Sequence, residues 1–237
     1  MFRSLLWKEW REQRWKAAFG AVVLGAFAAI GLKTRIMPDG QVVFLAMVIS
    51  ASLFPMFVCI GLVAAEREES TLPYLLRLPS PNWAPLIAKI SVAAFVLLLP
   101  ILTVCGVYTI LAWNREVESW RVLYWGPIVW GISIEVLIWF LTLGISRQRQ
   151  DSAAIVALLV MAAWVFVVIV FGAFQTIESM GWFKWVVAVQ PLGYTMFSDP
   201  RFGSVDAGVF TLLHGTVLIL LIYSMFRRFP TLRSARS

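Results

Sequence analysis

Six long apolar stretches dominate this chain and limit the folds that it can adopt. An α-helix rises about 1.5 Å per residue, so about 20 apolar residues cross the roughly 30 Å of hydrocarbon in a bilayer. The strands of a membrane barrel would instead alternate apolar and polar residues over about ten positions. The sequence therefore predicts an all-α membrane protein with six transmembrane helices. The predicted spans are residues 17–32, 41–65, 90–113, 123–145, 153–174 and 208–226.

The composition fits a chain whose solvent is lipid. Of its 237 residues, 60% are hydrophobic and 14% are charged, whereas soluble domains are about half apolar and about a quarter charged. A globule of this size cannot bury so much apolar surface in one core. The net charge of +7 fits basic residues beside anionic headgroups better than it fits a nucleic-acid partner. We expect one transmembrane domain over residues 1–237, surrounded by lipid.

The distribution of Lys and Arg predicts the orientation in the membrane. With the N-terminus in the cytoplasm, fourteen of the 20 basic residues fall in cytoplasmic segments and six fall in outer segments. Basic residues are enriched on the cytoplasmic side of membrane proteins. We therefore expect both termini to be cytoplasmic, and the membrane to be the inner membrane of a bacterium.

Two segments outside the spans are also apolar. Residues 1–16 are predicted to form an amphipathic helix that lies in the membrane interface. Its apolar side consists of Phe2, Leu5, Leu6, Trp7 and Trp10, and its polar side consists of Ser4, Lys8, Glu9, Arg11, Glu12 and Lys16. Residues 175–207 are too apolar for a simple loop and too short to cross the membrane and return. We expect them to form a re-entrant hairpin at the outer surface, between spans five and six.

Two ionisable residues fall inside predicted spans. Glu135 lies near the middle of the fourth span, where a charge costs a few kcal/mol unless something offsets it. It is either part of a substrate path or gate, or a protonated carboxyl that donates a hydrogen bond across a helix interface. His214, the only histidine, lies in the sixth span and is expected to hydrogen-bond a neighbouring helix rather than to do chemistry.

The sequence contains no set of residues typical of a catalytic or metal site. It has no Gly-x-x-x-x-Gly-Lys-Ser/Thr loop for ATP and no Gly-x-Ser-x-Gly motif. Cys59 and Cys105 both fall in apolar stretches, so we expect them to be buried, without a disulfide and without a metal. The chain is therefore expected to be no enzyme and to bind no cofactor itself.

The polar segment 66–86, between spans two and three, is the most informative part of the sequence. Its first residues are charged, and Ser70 or Thr71 can cap a short helix that Pro79 and Pro81 end. The leucines of this helix either dip into the headgroups or dock a soluble partner. They are Leu72, Leu75, Leu76 and Leu78.

This segment resembles the cytoplasmic loop of ABC transporter permeases of the type-2 exporter class (ABC-2 type). The family pattern runs Glu-Arg-Glu-x-Gly-Thr-Leu, followed by leucines, a proline and a lysine that opens the next span. The matching residues here are Glu66, Arg67, Glu68, Thr71, Leu72, Leu75, Leu76, Pro79 and Lys89. Ser70 stands where the family usually has glycine. The stretch QPLGYTMF, from Gln190, and the layout of six spans are also similar to the family.

The resemblance implies the permease subunit of an ATP-driven exporter. Two such subunits, identical or paralogous, would form the translocation path as a dimer. Separate ABC ATPase subunits would bind ATP and Mg²⁺ and dock beneath them, on the segment 66–86 as a coupling helix and on the N-terminal helix. The residues implied in ATPase binding are Glu66, Arg67, Glu68, Thr71, Leu72, Leu75, Leu76 and Arg77.

Two other functions stay open at the level of the sequence. One is a membrane-embedded enzyme that acts on lipid, with Glu135 as its acid or base. The other is a membrane anchor or regulator that tethers a cytoplasmic partner without transport. The substrate is not identified: the poorly charged spans disfavour a highly charged small ion, whereas lipids, peptides, drugs and glycans all fit.

Overall fold

The structure, a computed structural model, is α-helical throughout the part that it describes, with no strand there. It describes residues 2–60, 62, 81, 83–113, 115, 117–145, 149–173, 189–191 and 207–231. The helices in these ranges are α1 (Phe2–Thr34), α2 (Asp39–Ala51), α3 (Leu53–Cys59), α4 (Ala84–Leu111), α5 (Ser119–Ile145), α6 (Gln150–Ala173) and α7 (Ala207–Thr231).

Five helical stretches in the described ranges are long and apolar enough to cross a membrane, with α2 and α3 together forming one of them, and this confirms the predicted all-α membrane class. They are Phe2–Thr34, Asp39–Cys59, Ala84–Leu111, Ser119–Ile145 and Leu212–Phe229. A shorter apolar helix, Asp151–Val167, lies within α6 at the position of the predicted fifth span. The predicted outer hairpin at 175–207 lies almost entirely outside the described residues.

One continuous helix occupies the place of the predicted interfacial helix and first span. α1 runs through residue 16 without a break, so the predicted interfacial helix and the predicted first span are parts of one helix. Glu9 and Lys16 of the predicted polar side are buried, and so is Leu5 of the predicted apolar side, whereas Trp7 is 65% exposed. Contacts with other helices thus hold this part of α1 in the bundle. The position of these residues relative to the bilayer surface stays a prediction.

The second apolar stretch is divided into two helices at Ser52. Pro55 has no N–H to donate to the carbonyl of Ala51, four residues earlier, and in a regular helix its ring would clash with that carbonyl. α2 accordingly ends at Ala51. Ser52 then donates both its backbone N–H and its hydroxyl to the Val48 carbonyl, at 3.0 and 2.7 Å. The predicted single span 41–65 is therefore two short helices over its described part.

α4 and α5 both begin earlier than the spans predicted from residues 90 and 123. α4 begins at Ala84 with Pro85 in its first turn, where the missing N–H of proline has no helical partner to lose. α5 begins at Ser119. Pro100 and Pro127 lie inside these two helices, and each helix continues through its proline. In a membrane bundle, neighbouring helices can satisfy the backbone carbonyl that loses its hydrogen bond to a proline.

α1 and α4 pack side by side and run in the same direction. In the first half of each helix, the Trp10 and Phe95 rings meet edge to face, with centroids 5.5 Å apart. Further along, a Cβ atom on Gly20 would lie 2.9 Å from Pro100 Cγ and 2.5 Å from the Phe54 ring. Only glycine permits this approach, as is common between membrane helices. Both helices therefore begin at one end of the bundle, which we call the starting end.

α2 and α3 run in the opposite direction to α1. Val42, early in α2, contacts Gly31 near the end of α1. Val58, at the end of α3, accepts a hydrogen bond from Lys16 in the first half of α1. The end of α3 and the beginning of α4 consequently lie together at the starting end.

α5 lies against both α2 and α4. Ser133 donates to the Ser50 carbonyl of α2 at 3.2 Å, and the Trp130 indole donates to the Ala94 carbonyl of α4 at 2.8 Å. The buried core is therefore built around α1, α2, α4 and α5, with α6 and α7 packed on α5.

Candidate functional site

A buried ion pair joins α1 to α4 near the starting end. Lys89 Nζ donates a hydrogen bond to Glu9 Oε1 at 2.9 Å, and the side chains of Glu9 and Lys89 are only 2% and 1% exposed. Lys8 approaches the same oxygen at 3.3 Å. Breaking a buried pair by removing one partner typically costs about 3–5 kcal/mol, because a buried charge loses its compensation.

Lys16 joins the same helix to α3. Its Nζ donates to the Val58 carbonyl at 3.1 Å, one residue before α3 ends at Cys59. The last carbonyls of a helix have no acceptor role within it and carry the negative end of the helix dipole. The Lys16 ammonium also lies 5.6 Å from the centroid of the Phe57 ring, within cation–π range. Lys16 is therefore matched to the end of α3 in both hydrogen bonding and charge.

We call Glu9, Lys16, Lys89 and the Val58 carbonyl the N-terminal polar cluster. Glu9 and Lys16 share one face of α1, and the same face continues into Gly20 and the small residues that pack on α4. The cluster was not predicted, because a helical wheel does not tell which side of a helix packs against protein. The continuity of this face with the glycine-containing face of the span is the signal that could have found it.

The predicted ATPase-binding residues lie outside the described residues. This holds for Glu66, Arg67, Glu68, Thr71, Leu72, Leu75, Leu76 and Arg77. The two described helices that flank them are α3 and α4, and the N-terminal polar cluster contacts each of these within six residues of the connecting segment. The cluster therefore holds both ends of the segment that contains the predicted coupling helix.

Glu135 and His214 meet inside the membrane-spanning region. Glu135 Oε1 lies 2.7 Å from His214 Nδ1, and this hydrogen bond links α5 to α7. Both side chains are buried. The prediction that His214 hydrogen-bonds a neighbouring helix is confirmed. For Glu135, the structure supplies a partner across a helix interface, and this partner offsets the cost of placing a carboxyl in apolar surroundings.

An open crevice of about 390 Å³ lies beside this pair. Apart from Glu135 and His214, it is lined by Pro127, Ile128, Gly131 and Ile132 of α5 and by Gly215 and Leu218 of α7. Among the residues that the structure describes, a Cβ atom on Gly131 or Gly215 would meet no atom within 4 Å. The two glycines thus keep space open next to a polar pair. A carboxyl and an imidazole in such a place can exchange a proton or bind a polar group of an apolar molecule.

The described residues show no arrangement for metal chemistry. No group of three or more His, Cys, Asp or Glu side chains in those ranges could hold a metal ion. Cys59 and Cys105 are buried and form no disulfide, as predicted. The buried contacts Glu9–Lys89, Lys16–Val58 and Glu135–His214 instead join separate helices, which suits a protein whose helices move against one another or hold one another in register.

The described bundle is that of an integral membrane protein, with apolar helices of spanning length and polar contacts between them. The family model described as ABC-2 type transporter matches residues 2–197. The chain belongs to this family, so it is a permease component of an ABC transporter, a class that works with an ABC ATPase. The resemblance drawn from the segment 66–86 is thereby confirmed. No curated protein matches the chain.

Proposed function

We propose that the chain is the permease subunit of an ATP-driven ABC exporter. Two copies, or one copy and a paralogue, form the translocation path in the inner membrane of a bacterium. A separate ATPase binds ATP and Mg²⁺ and docks on the segment 66–86 from the cytoplasm. The observation that carries this proposal is the family match over residues 2–197.

We call the connection between α3 and α4, residues 60–83, the coupling segment, because it contains most of the segment 66–86. The position of its two ends supports an ATPase site on the cytoplasmic side. Cys59, at the end of α3, and Ala84, at the beginning of α4, lie at the same end of the bundle as Phe2. Residues 2–16 carry five of the 20 Lys and Arg residues of the chain, which favours a cytoplasmic position. A segment that leaves and re-enters the bundle at that end is accessible to a cytoplasmic partner.

Six spans would complete this orientation. We assign α6 as the fifth span and residues 175–207 as the outer hairpin that precedes the sixth. An even number of spans returns the C-terminus to the side of the N-terminus. Arg227 and Arg228, near the end of α7, fit a cytoplasmic position for that end.

Docking would use the leucines of the coupling helix as its apolar contact. Leu75 and Leu76 would enter a groove on the ATPase, and Glu66, Arg67 and Arg77 would steer the approach, since charges at the rim of an interface affect the rate of association most. Closure of the ATPase on ATP would move the coupling helices and rock the two permease bundles apart. A path would then open at the seam between them.

Purification of the complex tests the docking. The wild-type chain in detergent is expected to retain a soluble ATPase, and the double change Leu75→Asp and Leu76→Asp is expected to release it. Leu75→Met with Leu76→Met is the matched control, because it keeps the apolar surface and should keep the ATPase. A fully active complex with both aspartates would refute the proposed site.

We assign the Glu135–His214 pair to the substrate path or its gate. A gate that changes state during the cycle affects the rate of ATP hydrolysis, whereas a pair that only packs affects stability. Glu135→Gln and His214→Gln are therefore expected to change ATP hydrolysis by about fivefold or more, the scale of a typical coupling energy. The measurement is hydrolysis per folded complex beside its melting temperature. Normal hydrolysis with a lowered melting temperature would restrict the pair to packing.

A further inference from the structure

We propose that the N-terminal polar cluster transmits movement of the coupling segment to α1, so that Glu9 and Lys16 are positioning residues for the coupling of ATP hydrolysis to transport. This inference rests on the proposed function. Beyond the proposed function, α1 is a moving part, and the cluster residues connect it to the coupling segment that docks on the ATPase.

Each end of the coupling segment is bound to α1 through a charged group. The end of α3 contacts α1 through Lys16 Nζ and the Val58 carbonyl, and the beginning of α4 contacts it through Glu9 and Lys89. A force on the segment reaches the bundle through these two helices. Since both are bonded to the same face of α1, a displacement of either one acts on α1 directly.

The contacts of α1 with the two ends of the coupling segment use charged groups that are buried. Buried ion pairs contribute little net stability compared with well-packed apolar residues, and their best-attested role is to fix register. Twenty residues into the chain, Gly20 and Pro100 show that the same two helices can pack closely without any charge. Charges near the ends of the coupling segment therefore indicate that these contacts fix the position of both ends relative to α1, in addition to packing.

The far end of α1 lies well away from the N-terminal polar cluster. The helix has 33 residues and spans about 50 Å at a rise of about 1.5 Å per residue. Near its last turn, Leu32 is fully buried, and its carbonyl accepts a hydrogen bond of 3.5 Å from Arg115. Because α1 is one unbroken helix, a displacement at its beginning reaches the residues packed around its end.

The test uses the full chain in complex with its ATPase in lipid vesicles. An environment-sensitive fluorophore on Ile36→Cys, a residue 79% exposed just beyond α1, reports movement of the far end. The native Cys59 and Cys105 are buried and stay unlabelled. A non-hydrolysed ATP analogue is expected to shift the emission in the otherwise wild-type complex.

In Glu9→Gln and in Lys16→Met, this shift is expected to fall below about half of its wild-type size. ATPase binding and hydrolysis should stay within about twofold, which a merely structural defect would not allow. The reversed pair, Glu9→Lys with Lys89→Glu, restores the charge contact and is expected to restore the shift. Arg121→Gln, which breaks the exposed pair with Glu118, is the control and should leave the shift unchanged.

A full shift in Glu9→Gln and Lys16→Met would overturn the inference, and so would an ATPase-bound wild-type complex with no shift at all. Parallel loss of shift, ATPase binding and hydrolysis would also overturn it, because the cluster would then be structural. If Glu9→Gln does not fold, Lys16→Met and the reversed pair decide the outcome in the same way. Failure of the wild-type chain to bind an ATPase would refute the proposed function instead.

Discussion

An ion pair lies near each end of the α1–α4 pair, and the two ion pairs differ in burial. At the starting end, Glu9 and Lys89 are 2.9 Å apart and almost fully buried. At the far end, Arg115 lies 3.7 Å from Asp39; the Arg115 side chain is 37% exposed and the Asp39 side chain is 5% exposed. Solvent thus reaches the cation of the second pair, whereas both partners of the first pair are shielded from solvent. The fully buried pair is the one that lies beside the predicted ATPase site.

The largest expected effect is at the buried pair. Glu9→Leu removes the closest carboxylate from a buried ammonium and is expected to lower the free energy of unfolding by about 3 kcal/mol. Adding Lys89→Met should recover most of this loss, because the buried charge is then gone. Unfolding of the purified protein in detergent measures both. The exposed Glu118→Leu should cost less than about 1 kcal/mol, and an equal cost at the two sites would contradict the comparison.

The middle of the contact between α1 and α4 allows the effect of packing to be measured without any charge. Gly20→Ala places a Cβ atom 2.5 Å from the Phe54 ring and is expected to cost about 1–3 kcal/mol of stability. Gly106→Ala is the matched change in α4, where no atom lies within 4 Å of the new Cβ. It should be neutral or should stabilise by up to about 1 kcal/mol, since alanine favours the helix. Equal melting temperatures for the two variants would mean that the close approach at Gly20 is absent.

The smallest expected effect is at the far end. Arg115→Ala should lower the free energy of unfolding by about 1 kcal/mol, because the pair with Asp39 is long and the Arg115 guanidinium is partly exposed. Raising the salt concentration to about 1 M shortens the Debye length to about 3 Å and should reduce this difference further. The cost of Glu9→Leu should persist at the same salt concentration. A salt-sensitive Glu9→Leu together with a salt-insensitive Arg115→Ala would reverse the comparison.

Sequence patterns predicted those features that depend on length and apolar content. Continuous apolar stretches predicted the membrane class, and the pattern beginning at Glu66 predicted the family that the match confirms. The bond from His214 to another helix was also predictable, because an ionisable group in lipid needs a partner. The identity of that partner, Glu135, was not, since nothing in one sequence indicates which helices are neighbours.

The unpredicted features share one physical cause, which is the packing of distant parts of the chain. Glu9 and Lys16 look like the wet side of an interfacial helix until Lys89 and the end of α3 are placed beside them. The division at Ser52 is a smaller case: a proline in an apolar stretch is expected to disturb a helix, but tertiary contacts decide whether the helix bends or ends.

The pairing of Glu9 with Lys89 has a consequence for biosynthesis. The two residues are separated by 80 positions, so the carboxylate leaves the ribosome long before its ammonium partner exists. At about 5–20 residues per second, the delay is roughly 4–16 s. During that interval the nascent first helix has to wait at the membrane with Lys8 as the adjacent cation. Its final seating must therefore follow synthesis of the third apolar stretch.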